Sequence, residues 1–246
     1  MLTIHSDRDT SLYTIAWITC DNDEYQAARL MLDKQHGDYA PRQRFCGSSW
    51  YTLGEAAGHN VVLIMAIADD DQGRELACLS IDLEIHFPNV RACMVISVGA
   101  GIPREGHDVR LGDVVVSTPD RQCGGVVNVD EDYVGEPNAL LDGIEPATLA
   151  VARLLEQHIR TGLGLGLGLG DMLKHVAEMK ATKPKLEPQY AYPGAEKDLL
   201  FPSDYECKRN WDGKSTCDKF DDPSKAVIRP ARTNPDPKIH FGTVAA

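Results

Sequence analysis

The chain has 246 residues, of which 43% are hydrophobic, with a formal net charge of -12 and a pI near 5.0. That apolar content sustains a folded core and excludes a chain disordered throughout. The negative charge repels phosphate backbones and anionic lipid, which argues against nucleic acid or a membrane surface as partner. Seven cysteines (Cys20, Cys46, Cys78, Cys93, Cys123, Cys207, Cys217), odd in number and scattered, read as free thiols in a reducing compartment. The N-terminus lacks a signal-peptide pattern, and no window approaches the roughly 18 apolar residues of a membrane span. The expectation is a soluble, cytoplasmic protein.

In chain order, Tyr13 to Cys20 is rich in β-formers and predicts a buried strand. Asp21 with Glu24 three residues on has capping-box spacing, so an amphipathic helix starts here and runs to about Lys34. Trp50 to Leu53 and Asn60 to Ala68 predict a hairpin-like pair across the Gly54 to His59 segment. A helical pattern from Gln72 to His86 ends before Pro88. Met94 to Ser117 then reads as a buried strand, a glycine turn at Gly99-Ala100-Gly101, a polar loop and a second buried strand. Bare backbone N–H groups at a strand end are where open α/β sheets bind ligands, so this stretch is the first candidate for a site.

Gly124 to Val129 predicts a short strand, and Glu145 to Thr161 has a helical period through Leu149, Ala152, Leu155 and Ile159. Gly162 to Gly170 alternates glycine with leucine; that much glycine costs backbone entropy and reads as a mobile, low-complexity loop. Lys183 to Pro237 reads as an irregular arm, and Lys238 to Ala246 returns to strand-like sequence. The whole chain, 1–246, is expected to form a single domain.

The turn at Gly99 is no dinucleotide fingerprint. Arg104 stands where a third glycine is needed, and Pro103 leads through a charged loop into another strand instead of a helix. Arg104 and Arg110 either meet an anionic group such as a nucleotide phosphate or pair with their neighbours Glu105 and Asp108. His107 between them is a proton carrier by its ordinary pKa range, or a plain loop histidine. Asp113, just before a strand, reads as turn chemistry. Cys207 and Cys217 lie ten apart with no C-x-x-C pair, so a zinc site with His240 is not expected. Neither metal nor cofactor is expected.

Tyr-Thr-Ile-Ala-Trp-Ile-Thr-Cys (from Tyr13), Gly-Glu-x-x-Gly-His-Asn-Val-Val (from Gly54), Val-Gly-Ala-Gly-Ile-Pro (from Val98), Arg-Leu-Gly-Asp-Val-Val-Val-Ser (from Arg110) and Gly-Gly-Val-Val (from Gly124) occur in this order. With Tyr-Pro-Gly-x-x-x-Asp-Leu-Leu-Phe (from Tyr192) and Pro-Lys-Ile-His-Phe-Gly (from Pro237), they span nearly the whole chain. This set resembles the purine and uridine phosphorylase superfamily, most closely its fungal branch. The resemblance implies a three-layer α/β/α sandwich around a mixed sheet, assembled as a homo-oligomer, that cleaves the N-glycosidic bond of a purine nucleoside or nucleotide.

By the same resemblance, Glu24 falls where nucleosidase members carry the glutamate that positions the attacking water; its alternative is a capping-box role alone. Val98, Gly99 and Ala100, with Gly101 closing the turn, match the strand-end segment that lines the ribose and base pocket. Phosphorylases carry a phosphate-gripping arginine where this chain has Val95. Their glycine-rich phosphate turn is here Ala66 to Gly73, with Asp69, Asp70 and Asp71 to repel an anion. Hydrolysis is thus favoured over phosphorolysis. Family members continue into a Phe-Glu-Met-Glu-Ala segment that holds the ribose hydroxyls and then to a base-protonating aspartate, and this sequence contains neither. The expectation is a domain truncated at its C-terminus, or alternatively an inactive or repurposed member acting as a small-molecule-binding, interaction or biosynthetic protein.

Overall fold

Ile15–Thr19 forms β1, the strand around which the first part of the chain is laid. The structure is a computed structural model describing residues 8–41, 49–66, 72–103, 107–118, 125–127, 191–202, 204–205, 223–232, 234 and 236–245. It also describes residues 153, 154, 156, 157, 173, 174, 176–178 and 181. The chain divides into two units, residues 1–100 with 173–190, and residues 101–172 with 191–246.

In the first unit a five-stranded mixed sheet has the order β2-β3-β4-β1-β5. The other strands are β2 (Lys34–Tyr39), β3 (Trp50–Ala56), β4 (His59–Met65) and β5 (Ala92–Val95). β1 runs parallel to both neighbours, with Ile15 opposite Val61 on one side and Ala92 on the other. Parallel neighbours require crossovers. The helix α1 (Asn22–Leu30) follows β1, and α2 (Gln72–His86) links β4 to β5. β3 and β4 form an antiparallel hairpin paired out to Ala56 and His59, which leaves only Ala57-Gly58 for the turn. Both turn residues have positive φ, 50° and 78°, the conformation that lets a two-residue turn follow the strand twist.

Strand alternation divides the apolar residues between two faces. Ala16, Ile18, Val62 and Ile64 join Leu79, Leu83 and Phe87 from α2 and the segment after it. Leu63 on the opposite face meets Tyr25 and Ala28 of α1, with Trp17, Met65 and Ile96 packed alongside. The predicted helices after Asp21 and from Gln72 and the hairpin are therefore present, and the class is α/β, but the first helix stops at Leu30 instead of running to about Lys34, which opens β2. β2 has no counterpart in the sequence reading, because Lys34-Gln35-His36-Gly37-Asp38-Tyr39 shows no apolar alternation. It is an edge strand with an irregularity between Gln35 and Gly37.

In the second unit the described residues form two parallel strand pairs. β6 (Val114–Ser117) pairs with β8 (Ile239–Gly242), and β7 (Val126–Val127) pairs with β9 (Val244–Ala245). The described part of the 183–237 arm is irregular apart from short 3-10 turns at Ala195–Lys197 and Pro223–Lys225. The 162–170 loop and most of the 145–161 helix lie outside the described residues.

Two expectations need correction. The strands of the central stretch are not buried: Met94 and Val95 are 45% and 68% exposed, and Val114 is 45% exposed. Among the described residues β5 is the edge of its sheet and β6 belongs to a two-stranded one, so neither has a described neighbour on both sides. Nor are all the cysteines reduced, since Cys78 is disulfide-bonded, whereas Cys20 and Cys93 are free and exposed. Among the described residues no helix is long and apolar enough to cross a membrane.

Candidate functional site

Because β1 and β5 are parallel neighbours, their C-terminal ends open at the same edge of the sheet, where ligands of open α/β folds gather. The ladder continues one step past β5, with the Ile96 amide donating to Ile18 O at 2.8 Å. Beyond it the chain leaves the sheet as Ser97-Val98-Gly99-Ala100. On the other side of the edge, β1 turns through Cys20 and Asp21 into α1. Asp21 caps the helix, its Oδ1 accepting from the Asp23 amide at 2.7 Å.

Glu24, in the first turn of α1, spans these two exits. Its Oε1 accepts from the Val98 amide at 2.8 Å and from the Ser97 hydroxyl at 3.0 Å. Its Oε2 accepts from the Cys20 amide at 3.3 Å. One oxygen of Glu24 thus faces the segment after β5, while the other bonds the amide of Cys20, one residue before the N-cap Asp21, and not the N-cap amide that a capping box would use. A carboxylate here also sits at the positive end of the helix dipole. The adjacent Cys20 thiol is pushed up in pKa, first by burial and then by the Glu24 charge.

Val98 is 85% exposed, and Gly99 and Ala100 are exposed with it. Among the described residues a Cβ placed on Gly99 would meet nothing within 4 Å. Glycine there is required by neither φ nor a close protein neighbour.

The placement of Glu24 depends on the residue beside it. Tyr25 lies buried under α1, and its hydroxyl is 2.6 Å from Thr52 Oγ1. Thr52 donates its single proton to Asp38 Oδ1 at 2.6 Å, so Tyr25 must be the donor to Thr52. Asp38 also faces Arg29 at 3.6 Å, returning the chain of contacts to α1. Burial, above all, pushes the Tyr25 pKa up. Sequence reasoning missed Ser97, Tyr25, Thr52 and Asp38. Tyr25 alone carried a signal, as the apolar position next to the capping glutamate.

The remaining candidates belong to the second unit or lie outside the described residues. Gly101 is tight, since an added Cβ would stand 2.6 Å from Val109 Cγ1. The Arg110 guanidinium is held by Asp108 at 2.7 Å and by Pro230 O at 2.6 Å. Arg104, Cys207 and Cys217 fall outside the described residues.

Asp113 does make the predicted turn bond, accepting from the Arg110 amide at 2.9 Å. Its fully buried side chain also receives both terminal nitrogens of Arg232, the Lys238 amide at 2.8 Å and His240 Nε2 at 2.8 Å. Burial pushes its pKa up, but these donors together outweigh burial and hold the carboxyl far below the usual carboxylate range. The His107 and His240 rings lie 6.5 Å apart. Among the described residues no group of three or more His, Cys, Asp or Glu side chains is placed to hold a metal ion.

No protein-family model matches the chain. A protein of the fungus Hyaloscypha variabilis, described as a nucleotide-binding leucine-rich repeat (NLR)-like protein, is 29% identical over 240 residues. The match covers 95% of this chain and 22% of the fungal protein, so the chain spans about a fifth of that relative's length. Among solved structures, the Streptococcus pneumoniae MTA/SAH nucleosidase in complex with 8-aminoadenine overlaps 42% of this chain and 40% of its own, at 24% identity and a TM-score of 0.31. An overlap of that extent assigns nothing by itself.

Proposed function

We propose that the chain is a nucleoside phosphorylase-like domain of three-layer α/β/α architecture that hydrolyses the N-glycosidic bond of a purine nucleoside or nucleotide. The observation that carries this reading is the Glu24 carboxylate meeting Ser97 and Val98. The resemblance of the motifs assigns a water-orienting glutamate and a ribose-lining strand end to one pocket. Here the two lie within hydrogen-bond reach across 74 residues of sequence. In this reading Glu24 accepts a proton from water as its oxygen bonds the anomeric carbon. The carbon–nitrogen bond breaks, and the base leaves with its electron pair and takes up a proton. Val98, Gly99 and Ala100 form the wall beside the sugar, with Gly101 closing the turn; Arg104 and Arg110 remain the residues proposed to meet an anionic group such as a nucleotide phosphate. Arg110 would have to share a guanidinium already bonded to Asp108 and Pro230. Val95 and the Asp69-Asp70-Asp71 run disfavour phosphate as nucleophile. A cytoplasmic homo-oligomer is part of the same proposal.

The test is chromatography of free base released from a panel of purine nucleosides and nucleotides. Wild-type protein releases base, and Glu24→Gln lowers the rate by about 10²- to 10⁴-fold, the usual contribution of a positioned base. The amide oxygen of glutamine still accepts from Val98 and Ser97, and only the longer bond from the Cys20 amide, which the glutamine nitrogen cannot accept, is lost. Wild-type protein that releases no base from any member of the panel overturns the reading.

A second reading, a ligand-binding or interaction module within a larger protein, is favoured by the similarity to the Hyaloscypha protein, which is described as nucleotide-binding and of which this chain spans only a fifth. Calorimetry that shows nucleotide binding without base release selects it.

A further inference from the structure

We propose that Ser97 is the positioning residue for Glu24, holding Oε1 so that Oε2 is the oxygen that takes the proton from water; this rests on the hydrolytic reading above. A carboxylate oxygen has two acceptor sites. Both sites of Oε1 are filled, by the Val98 amide at 2.8 Å and the Ser97 hydroxyl at 3.0 Å. Oε2 carries one longer bond, from the Cys20 amide at 3.3 Å, and keeps one site for a further donor.

The last torsion of a glutamate is broad, so a single donor leaves the plane of the carboxylate loosely set. Two donors from consecutive residues define it. Among the described residues the hydroxyl proton has one alternative acceptor, Val98 O at 3.5 Å, and the nearer, charged oxygen wins. Ser97 is itself held in place, because the residue before it is pinned to β1 through the Ile96 amide and Ile18 O. The serine therefore passes the rigidity of the sheet to a helix side chain.

The experiment compares the whole chain with Ser97→Ala and Ser97→Thr, measuring base release under initial-rate conditions with the best nucleoside of the panel. Ser97→Ala lowers kcat about tenfold, the scale of losing one hydrogen bond to a charged group. KM stays within about twofold, because a lost transition-state orientation acts on kcat. Ser97→Thr, which keeps the hydroxyl, restores most of the rate. Wild-type kcat in Ser97→Ala, an effect on KM alone, or no rescue by threonine overturns the assignment while leaving hydrolysis standing. If wild-type protein releases no base, the functional reading falls. Hydrogen exchange at the Val98 amide then decides whether Ser97 holds the carboxylate. Exchange several-fold faster in Ser97→Ala supports it, and unchanged exchange overturns it.

Discussion

The Tyr25 hydroxyl bonds Thr52 Oγ1 at 2.6 Å, joining α1 to β3 beneath the helix turn that carries Glu24. Thr52 is fully buried, and its proton is committed to Asp38. Thr52→Val keeps the shape but leaves the buried tyrosine without its acceptor. The expected cost is about 1–3 kcal/mol, read by urea denaturation. Tyr25→Phe in the Thr52→Val background should recover part of it, since removing both polar partners is milder than removing one.

Asp113 makes the second unit acid-sensitive. Its folded pKa is depressed, because the Arg232, Lys238, His240 and Arg110 donors outweigh the opposing effect of burial. A depressed carboxylate contributes stability that is present above the unfolded pKa and fades as pH falls towards the folded value. Denaturation followed from about pH 5 downward should show wild-type stability declining from near pH 4. Asp113→Asn should show a shallower decline there. At neutral pH the variant should be less stable by about 3 kcal/mol, the scale of stripping one partner from a buried ion pair. Identical acid profiles for the two proteins would remove Asp113 as the source.

The hairpin turn stores a small conformational cost. Ala57 has φ of 50°, a region that costs an L-residue roughly 1 kcal/mol and that asparagine tolerates better. Ala57→Asn should stabilise the protein by about 0.5 kcal/mol in denaturant melts, because Asn-Gly is the favoured pair for this turn. The Ala57 amide bond to Asp33 Oδ2 at 2.7 Å is unaffected by the change.

Cys20 reports on the charge of Glu24 without any need for substrate. Glu24 is the second influence, after burial, that pushes the thiol pKa up. Glu24→Gln should therefore speed iodoacetamide alkylation of Cys20 by about two- to threefold near neutral pH, as the thiolate fraction grows. Cys93, raised by burial alone, is the internal control and should be unchanged.

What could be read from the residues followed the strength of the local signal. β1, β4, the start of the helix after Asp21 and the helix ending before Pro88 combine periodicity with clear start or stop residues and lie where those residues place them, whereas the first helix ends at Leu30, short of the expected Lys34, where β2 begins. β2 escaped because an edge strand does not have to bury a face. Its lysine, histidine and aspartate are compatible with pairing on one side only. The exposure of Met94 and Val95 was equally hidden. A β-branched run suggests burial, but a strand's neighbours are decided by pairing far along the chain.

The same division runs through Glu24. Its local bond runs to the Cys20 amide four residues back, within the few consecutive residues where the spacing after Asp21 places a carboxylate at the helix start. The contact with Ser97 and Val98 could only come from the tertiary structure, because it needs β1 and β5 to lie parallel and adjacent. That pairing sets their two ends side by side and brings residues 74 apart to 2.8 Å. The Asp113 cluster followed the same course. Its turn bond to Arg110 is local, whereas Arg232 and His240 arrive from more than a hundred residues away, and the pairing of β6 with β8 brings that returning segment alongside. Short-range hydrogen bonding is written in residue order; which carboxylate meets which donor across the chain is set by strand pairing.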